Sequence, residues 1–147
     1  MPTLTLMKGE HPQSTDSGLD AALERVGDRW SLLIIEAMLA GPRRFNDLSE
    51  ALPGIAPNIL TDRLRRLERA GVIVAERYSE RPPRVAYALT QDGHELAGVL
   101  RLLAAWGSGA ADGLRHLACG SPLEARWYCP TCAQTVSEEE ASTLRYA

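Results

Sequence analysis

The break at Leu52-Pro53-Gly54 constrains this chain more than any other feature. Residues 43–71 read RRFNDLSEALPGIAPNILTDRLRRLERAG, two short helical patterns that Pro and Gly force into a turn instead of one long helix. In the second pattern Leu60, Leu64 and Leu67 fall within about 60° of one another at 100° per residue, which makes them a buried stripe. Asn58, Asp62, Arg65, Arg66 and Arg69 project from the other side, so the exposed face is suited to an anion. Pro57 fits the first turn, where its missing N–H costs nothing, and Gly71 fits the left-handed position beyond the last turn. Two helices so marked, with a tight turn between them, predict a helix-turn-helix.

The formal charge of −3 hides a strong asymmetry along the 147 residues. Residues 42–84 hold nine arginines against six acids, a net +3, whereas residues 1–41 and 85–147 each carry −3. Positive charge is thus concentrated on the helix-turn-helix and the segment just after it, the distribution expected of a nucleic-acid partner. A content of 45% hydrophobic and 24% charged residues is that of a globular domain and excludes a fibrous or disordered chain. The apolar runs at 85–89 and 102–106 are far shorter than the roughly 18 residues of a membrane span, and no basic leader opens the chain. A cytoplasmic protein with no membrane partner is expected.

Taken in order, residues 1–16 lack periodicity and predict a flexible arm. Asp16 or Ser17 caps a short helix over 19–26, Gly27 ends it, and Asp28 caps a second helix over 29–40. That helix is apolar on nearly every side, which suits a core element or one shared with a second subunit. Asn46 is the expected N-cap of a helix over 46–52, with Phe45 buried. Strands are expected over 72–78 and 84–89, joined by a loop over 79–83 that Pro82-Pro83 keeps out of ladder pairing and that Arg81 and Arg84 flank with charge. A helix-turn-helix followed by a charged β-hairpin is a winged helix, placed over 17–90. Thr90 then caps a long helix over 91–114, about 35 Å if unbroken. Its stripe of Leu96, Val99, Leu100, Leu103 and Trp106 exceeds what one small domain needs and predicts a surface for a second copy, with Gly107 and Gly109 weakening its end.

Val26-Gly27-Asp28-Arg29-Trp30, Gly41-Pro42-Arg43-Arg44-Phe45, Ile59-Leu60-Thr61-Asp62-Arg63-Leu64, Leu67-Glu68, Gly71-Val72 and Pro82-Pro83-Arg84-Val85, with Tyr87 and Leu89-Thr90, resemble the HxlR-type, MarR-like family of bacterial winged-helix transcriptional regulators. The match covers about residues 19–105. The resemblance implies a homodimer on a roughly palindromic operator, each recognition helix in a major groove and each wing near the backbone or minor groove, acting by family habit as a repressor. Members that sense oxidants often resemble one another in a cysteine near the first helices. Here no cysteine precedes Cys119, which puts that route to an effector in doubt.

Helix-turn-helix docking brings the N-terminal half of the second helix to base edges, so Asn58, Thr61, Asp62 and Arg65 are the candidate base readers. Arg65 can present a bidentate fork to guanine and Asn58 can pair with adenine. Asp62 either accepts from cytosine or orients an arginine. Arg43, Arg44, Arg66 and Arg81 are candidates for phosphate, together with Arg69 on the same helix and Arg84 at the wing. Arg44 has an alternative in pairing with Glu50 or Glu68. Tyr78 and Tyr87 read as hairpin packing.

The three cysteines lie within fourteen residues and join His116 in the pattern His116-x2-Cys119-x9-Cys129-x2-Cys132. Both x2 spacings let two ligands face one tetrahedral ion, and four ligands suit one structural zinc per chain. The competing readings are a Cys129–Cys132 redox couple and plain reduced thiols. Ser137-x-x-Glu140 predicts a capping box for a last helix over 138–144, completing a zinc-binding appendage over 115–147 beside which Trp127 and Tyr128 pack.

The expected fold is mainly α with a small β-hairpin: a winged helix, a long dimerisation helix and a Cys/His knuckle. Histidines scattered at 11, 94 and 116, with no phosphate-cradling glycine motif, give no catalytic constellation, so a non-enzymatic, DNA-binding regulator is expected. The class-different alternative is an interaction adaptor that uses the winged helix and the knuckle to bind proteins. The residues name no small-molecule effector.

Overall fold

A computed structural model of the chain describes residues 17–109 and 113–137. Helices α1 (Gly18–Val26) and α2 (Arg29–Met38) are followed by a short strand β1 (Arg43–Arg44), α3 (Phe45–Ala51), α4 (Pro57–Arg69), the hairpin β2 (Ile73–Glu80) and β3 (Pro83–Leu89), and α5 (Gln91–Ser108). Strands β4 (Trp127–Cys129) and β5 (Gln134–Val136) form a separate hairpin. The main sheet is antiparallel in the order β1-β3-β2, with Arg43 opposite Tyr87 and Ile73 opposite Leu89. This is the α+β winged helix-turn-helix expected from the sequence.

Local chemistry sets the element ends. The Ser17 hydroxyl accepts from the Asp20 N–H at 3.1 Å, Asp28 Oδ1 accepts from the Ser31 N–H at 3.1 Å, and Thr90 Oγ1 accepts from the Gly93 N–H at 3.1 Å. Gly71, at φ 73°, closes α4: its N–H donates to Glu68 O and the Val72 N–H to Leu67 O, both at 3.0 Å. That pair of bonds is a Schellman closure, which needs the left-handed residue where Gly stands.

The core assembles where the helical stripes meet the hairpin. Leu60, Leu64 and Leu67 of α4 are buried with Ile34, Ile35 and Met38 of α2, Leu48 of α3, and Val72, Ile73 and Leu89 around the sheet. Burial of each such side chain contributes roughly 1.5–3 kcal/mol. Ser31, also fully buried, gives its hydroxyl to Asp28 Oδ2 at 2.5 Å, so its polar group is satisfied.

Several expectations are corrected. Helix α3 starts at Phe45, not after Asn46: Arg44 is the N-cap, held extended by its place in β1, and Asp47 Oδ2 accepts the Arg44 N–H at 2.9 Å from within the first turn. Phe45 is half-buried against the core. The wing is longer and its loop shorter, since Pro83 pairs with Glu80 and only Arg81-Pro82 lies between the strands. Helix α2 stops at Met38, two residues early, and α5 stops at Ser108 because Gly109 turns to φ 81°; Leu114 lies beyond it in a bridged loop. The arm over 1–16 and the helix over 138–144 lie outside the described residues.

Candidate nucleic-acid interface

The turn over 52–56 presents α4 as the most exposed basic element of the helix-turn-helix. With the three leucines fixed inward, Asn58, Asp62, Arg65 and Arg69 are all exposed on the outer face. Among the described residues Asn58, Arg65 and Arg69 make no side-chain hydrogen bond or ion pair, so their polar groups are free for a ligand. Thr61 is half-buried and its hydroxyl donates to Pro57 O at 2.9 Å, leaving its oxygen lone pairs as the group on offer.

The remaining cations divide into free and engaged. Arg81 and Arg84 at the wing tip are exposed and unpaired, as is Arg77 on β2, which no sequence motif singles out. Arg44 stacks its guanidinium on the Tyr78 ring at 4.9 Å instead of pairing with Glu50 or Glu68. A shallow concavity lined by Arg44, Phe45, Asn46, Tyr78, Arg84 and Val85 connects the start of α3 with the wing. Arg43 is partly withdrawn, its Nε donating to Ala37 O at 3.1 Å.

Arg66 departs furthest from expectation. Instead of joining the outward row it is half-buried, donates Nη2 to Glu24 O at 2.6 Å and stands 3.8 Å from Asp28 Oδ2. Its guanidinium ties α4 to α1. Arg63, absent from the predicted set, donates Nε to Asp28 Oδ1 at 2.9 Å and Nη1 to Asp62 Oδ2 at 2.6 Å. Asp62 thus contacts an arginine within the chain, and that arginine is Arg63. Burial pushes the Asp28 carboxyl up, but hydrogen bonds from the Ser31 hydroxyl and N–H and the adjacent Arg63 guanidinium more than offset it and hold the group below its ordinary value.

Away from this surface, Leu102, Leu103, Val99 and Trp106 stand exposed along α5, Trp106 at 82%, and Leu19 and Leu23 stand exposed on α1. His94 is exposed, as expected. The four candidate metal ligands lie as two pairs on two hairpin tips. His116 Nδ1 is 3.3 Å from Cys119 Sγ, while Cys129 and Cys132 face each other across the turn between β4 and β5. Among the described residues no three His, Cys, Asp or Glu side chains converge as a metal site. Trp127 and Tyr128 remain largely exposed instead of packing beside the tips. Hydrogen bonds from the Ser121 hydroxyl and N–H lower the Cys119 thiol, those from Cys132 and the Thr131 backbone lower Cys129, and Cys132 is raised by its bond to Cys129. Among the described residues no helix is long and apolar enough to cross a membrane.

The family model described as HxlR-like helix-turn-helix matches residues 25–113. An uncharacterized HTH-type transcriptional regulator of Mycobacterium tuberculosis is 37% identical over 123 residues, covering 79% of this chain and 77% of the relative. The HTH-type regulator YtcD of Bacillus subtilis is 38% identical over 90 residues, covering 61% of this chain and 71% of the relative. A crystal structure of ytcD superposes with a TM-score of 0.61 at 36% identity, covering 65% of this chain and 98% of that one. The crystal structure of PA1607 gives 0.70 at 28% identity over 90% of this chain and 95% of that one.

Proposed function

The chain belongs to the HxlR-like helix-turn-helix family and is a DNA-binding transcriptional regulator, and from that premise we propose that it works as a homodimeric repressor on a two-fold symmetric operator. The observation that carries the reading is the pairing of two unsatisfied surfaces: the free row Asn58, Arg65 and Arg69 on α4, and the exposed apolar stripe of α5. Of the stripe read from the sequence, Leu100 is buried and Leu96 packs on the chain's own core, so the exposed part is Val99, Leu103 and Trp106 together with Leu102.

In the proposed complex α4 enters the major groove. Arg65 offers two parallel N–H donors to guanine and Asn58 a donor and acceptor to adenine, each worth about 1–3 kcal/mol of discrimination. Asp62, already bridged to Arg63, orients that arginine more than it reads a base. Arg69, Arg81 and Arg84 meet phosphates, with Arg44 held behind the wing by Tyr78. A second copy supported on Val99, Leu102, Leu103 and Trp106, with Leu19 and Leu23 of α1 alongside, would repeat this surface about a two-fold axis, and operator symmetry would follow from protein symmetry. Repression enters with the family resemblance, as occlusion of a promoter.

The test is selection from random duplexes, followed by titration of the winner across salt. The expected outcome is a two-fold symmetric site whose affinity falls steeply with salt. Three phosphate-binding arginines per protomer, six per dimer, imply a slope near −5 in log–log form, about a thousandfold between 50 and 200 mM. No enrichment at low salt would transfer the surface to a protein partner, as in the adaptor reading, and a compact asymmetric site bound by one copy would overturn the dimer.

A further inference from the structure

Residues 113–137 fold into two hairpins with no buried side chain among them: Leu117 is 100% exposed, Trp127 66%, Tyr128 60% and Leu123 54%. A unit of this size without a core needs a cross-link to hold its shape. The two hairpins are also built alike. In the first, the Leu123 N–H donates to Leu114 O, Arg115 bridges Pro122, and the His116 N–H donates to Ser121 O, which leaves 117–120 as the tip. In the second, Trp127 pairs with Val136 and Cys129 with Gln134, leaving 130–133 as the tip. Each tip has a ligating residue, two intervening residues, a second ligating residue and then a residue in the left-handed region: His116, Cys119 and Gly120 at φ 71°, Cys129, Cys132 and Ala133 at φ 54°.

We propose that His116, Cys119, Cys129 and Cys132 together hold one Zn2+, each hairpin tip supplying one pair of a tetrahedral set. With Zn–N near 2.0 Å and Zn–S near 2.3 Å, two tetrahedral ligands stand about 3.5 Å apart. The His116 Nδ1 to Cys119 Sγ separation of 3.3 Å already approximates that edge. Binding exchanges three thiol protons for one divalent cation and leaves His116 neutral, with no electron transferred. The two pairs sit on separate tips, so the ion is the element that draws those tips together. A disulfide between Cys129 and Cys132 would close only the second hairpin and would leave the first unattached. The proposal is independent of how α4 reads DNA.

The test uses the full chain, purified reduced and without chelators. Elemental analysis should give one zinc per chain, and Co2+ in its place should give the visible bands of a tetrahedral site with a sulfur-to-cobalt charge-transfer band. Cys119→Ser and Cys132→Ser should each lose stoichiometric metal, while duplex binding, measured in parallel, reports that the winged helix is intact. His116→Cys should keep one metal and raise the charge-transfer intensity by about a third, as a fourth thiolate replaces nitrogen. Absence of both zinc and a cobalt spectrum would overturn the proposal. So would full zinc and an unchanged spectrum in Cys119→Ser, which would confine the ion to one hairpin.

Discussion

Arg63 and Asp28 join the recognition helix to the start of α2: Arg63 Nε donates to Asp28 Oδ1 at 2.9 Å, and the same carboxylate caps α2 and accepts the Ser31 hydroxyl. Arg66 approaches its second oxygen at 3.8 Å and Arg63 reaches on to Asp62. One acid therefore joins α4 to α2 through two arginines, one of which reaches on to Asp62 of the outer row.

Replacing that acid should cost stability first and DNA affinity second. Asp28→Ala removes an N-cap worth about 1 kcal/mol and frees two arginines. Because the folded carboxyl titrates below its unfolded value, its contribution is complete above the ordinary carboxylate range near 3.8 and is lost as pH falls through the folded value. Denaturant unfolding of Asp28→Asn and the parent protein should differ by a constant amount near neutrality, with the gap narrowing in acid below about pH 3.8. A gap that widened in acid would assign the wrong sign to this group.

Arg65→Ala should lower affinity for the selected operator by about 1–3 kcal/mol and relax preference at one base pair of each half-site, since a bidentate donor reads a base edge. Arg81→Ala should weaken all duplexes alike and flatten the salt slope by about two per dimer, one for each phosphate left without its arginine. Competition titrations with single-base operator variants separate the two effects. If Arg65→Ala changes neither affinity nor preference, α4 does not enter the major groove by its outer face.

Two glycines of α5 should respond in opposite directions. At Gly93 an added Cβ would lie 2.2 Å from Val72 O, a backbone atom with nowhere to go, so Gly93→Ala should push the helix off the sheet and cost about 1–3 kcal/mol. At Gly98 nothing lies within 4 Å, and Gly98→Ala should stabilise by about 0.5–1 kcal/mol through helix propensity alone. Thermal unfolding of both variants checks the pair, and a neutral Gly93→Ala would show that this contact is looser than its geometry.

What could be read in advance was what local chemistry decides. The leucine stripe of α4, the caps at Ser17, Asp28 and Thr90 and the turn at Gly71 depend on neighbours within one or two helical turns, and all stand where the pattern put them. The inward set of Arg66 and the role of Arg63 depend on Asp28 and Glu24, some 35 to 42 residues away, which periodicity does not see. A partial signal was present all the same. At 100° per residue Asn58, Asp62, Arg65 and Arg69 share an arc of about 60°, while Arg66 sits outside it and Arg63 lies only about 40° from Leu67. The end of α5 lies where Gly107 and Gly109 weaken the helix: apolar residues carry the stripe on towards 114, but Gly109 at φ 81° stops the helix at Ser108.

The stripe itself supplies the last prediction. Trp106 is 82% exposed, with Val99, Leu102 and Leu103 exposed on the same helix, so a single chain loses almost nothing when Trp106 is made polar. In a dimer packed on this helix the same side chain would sit among the apolar anchors, where truncation typically costs about 2 kcal/mol or more. Trp106→Glu should therefore keep the unfolding midpoint of the monomer yet lower the sedimentation mass to that of one chain at concentrations where the parent is a dimer. Binding to the symmetric operator should fall towards that of a single half-site, with the base preferences of Arg65 unchanged, because α4 lies on a different face of the fold. A Trp106→Glu protein that still sediments as a dimer would move the interface off α5, leaving α1 with Leu19 and Leu23 as the next surface to test.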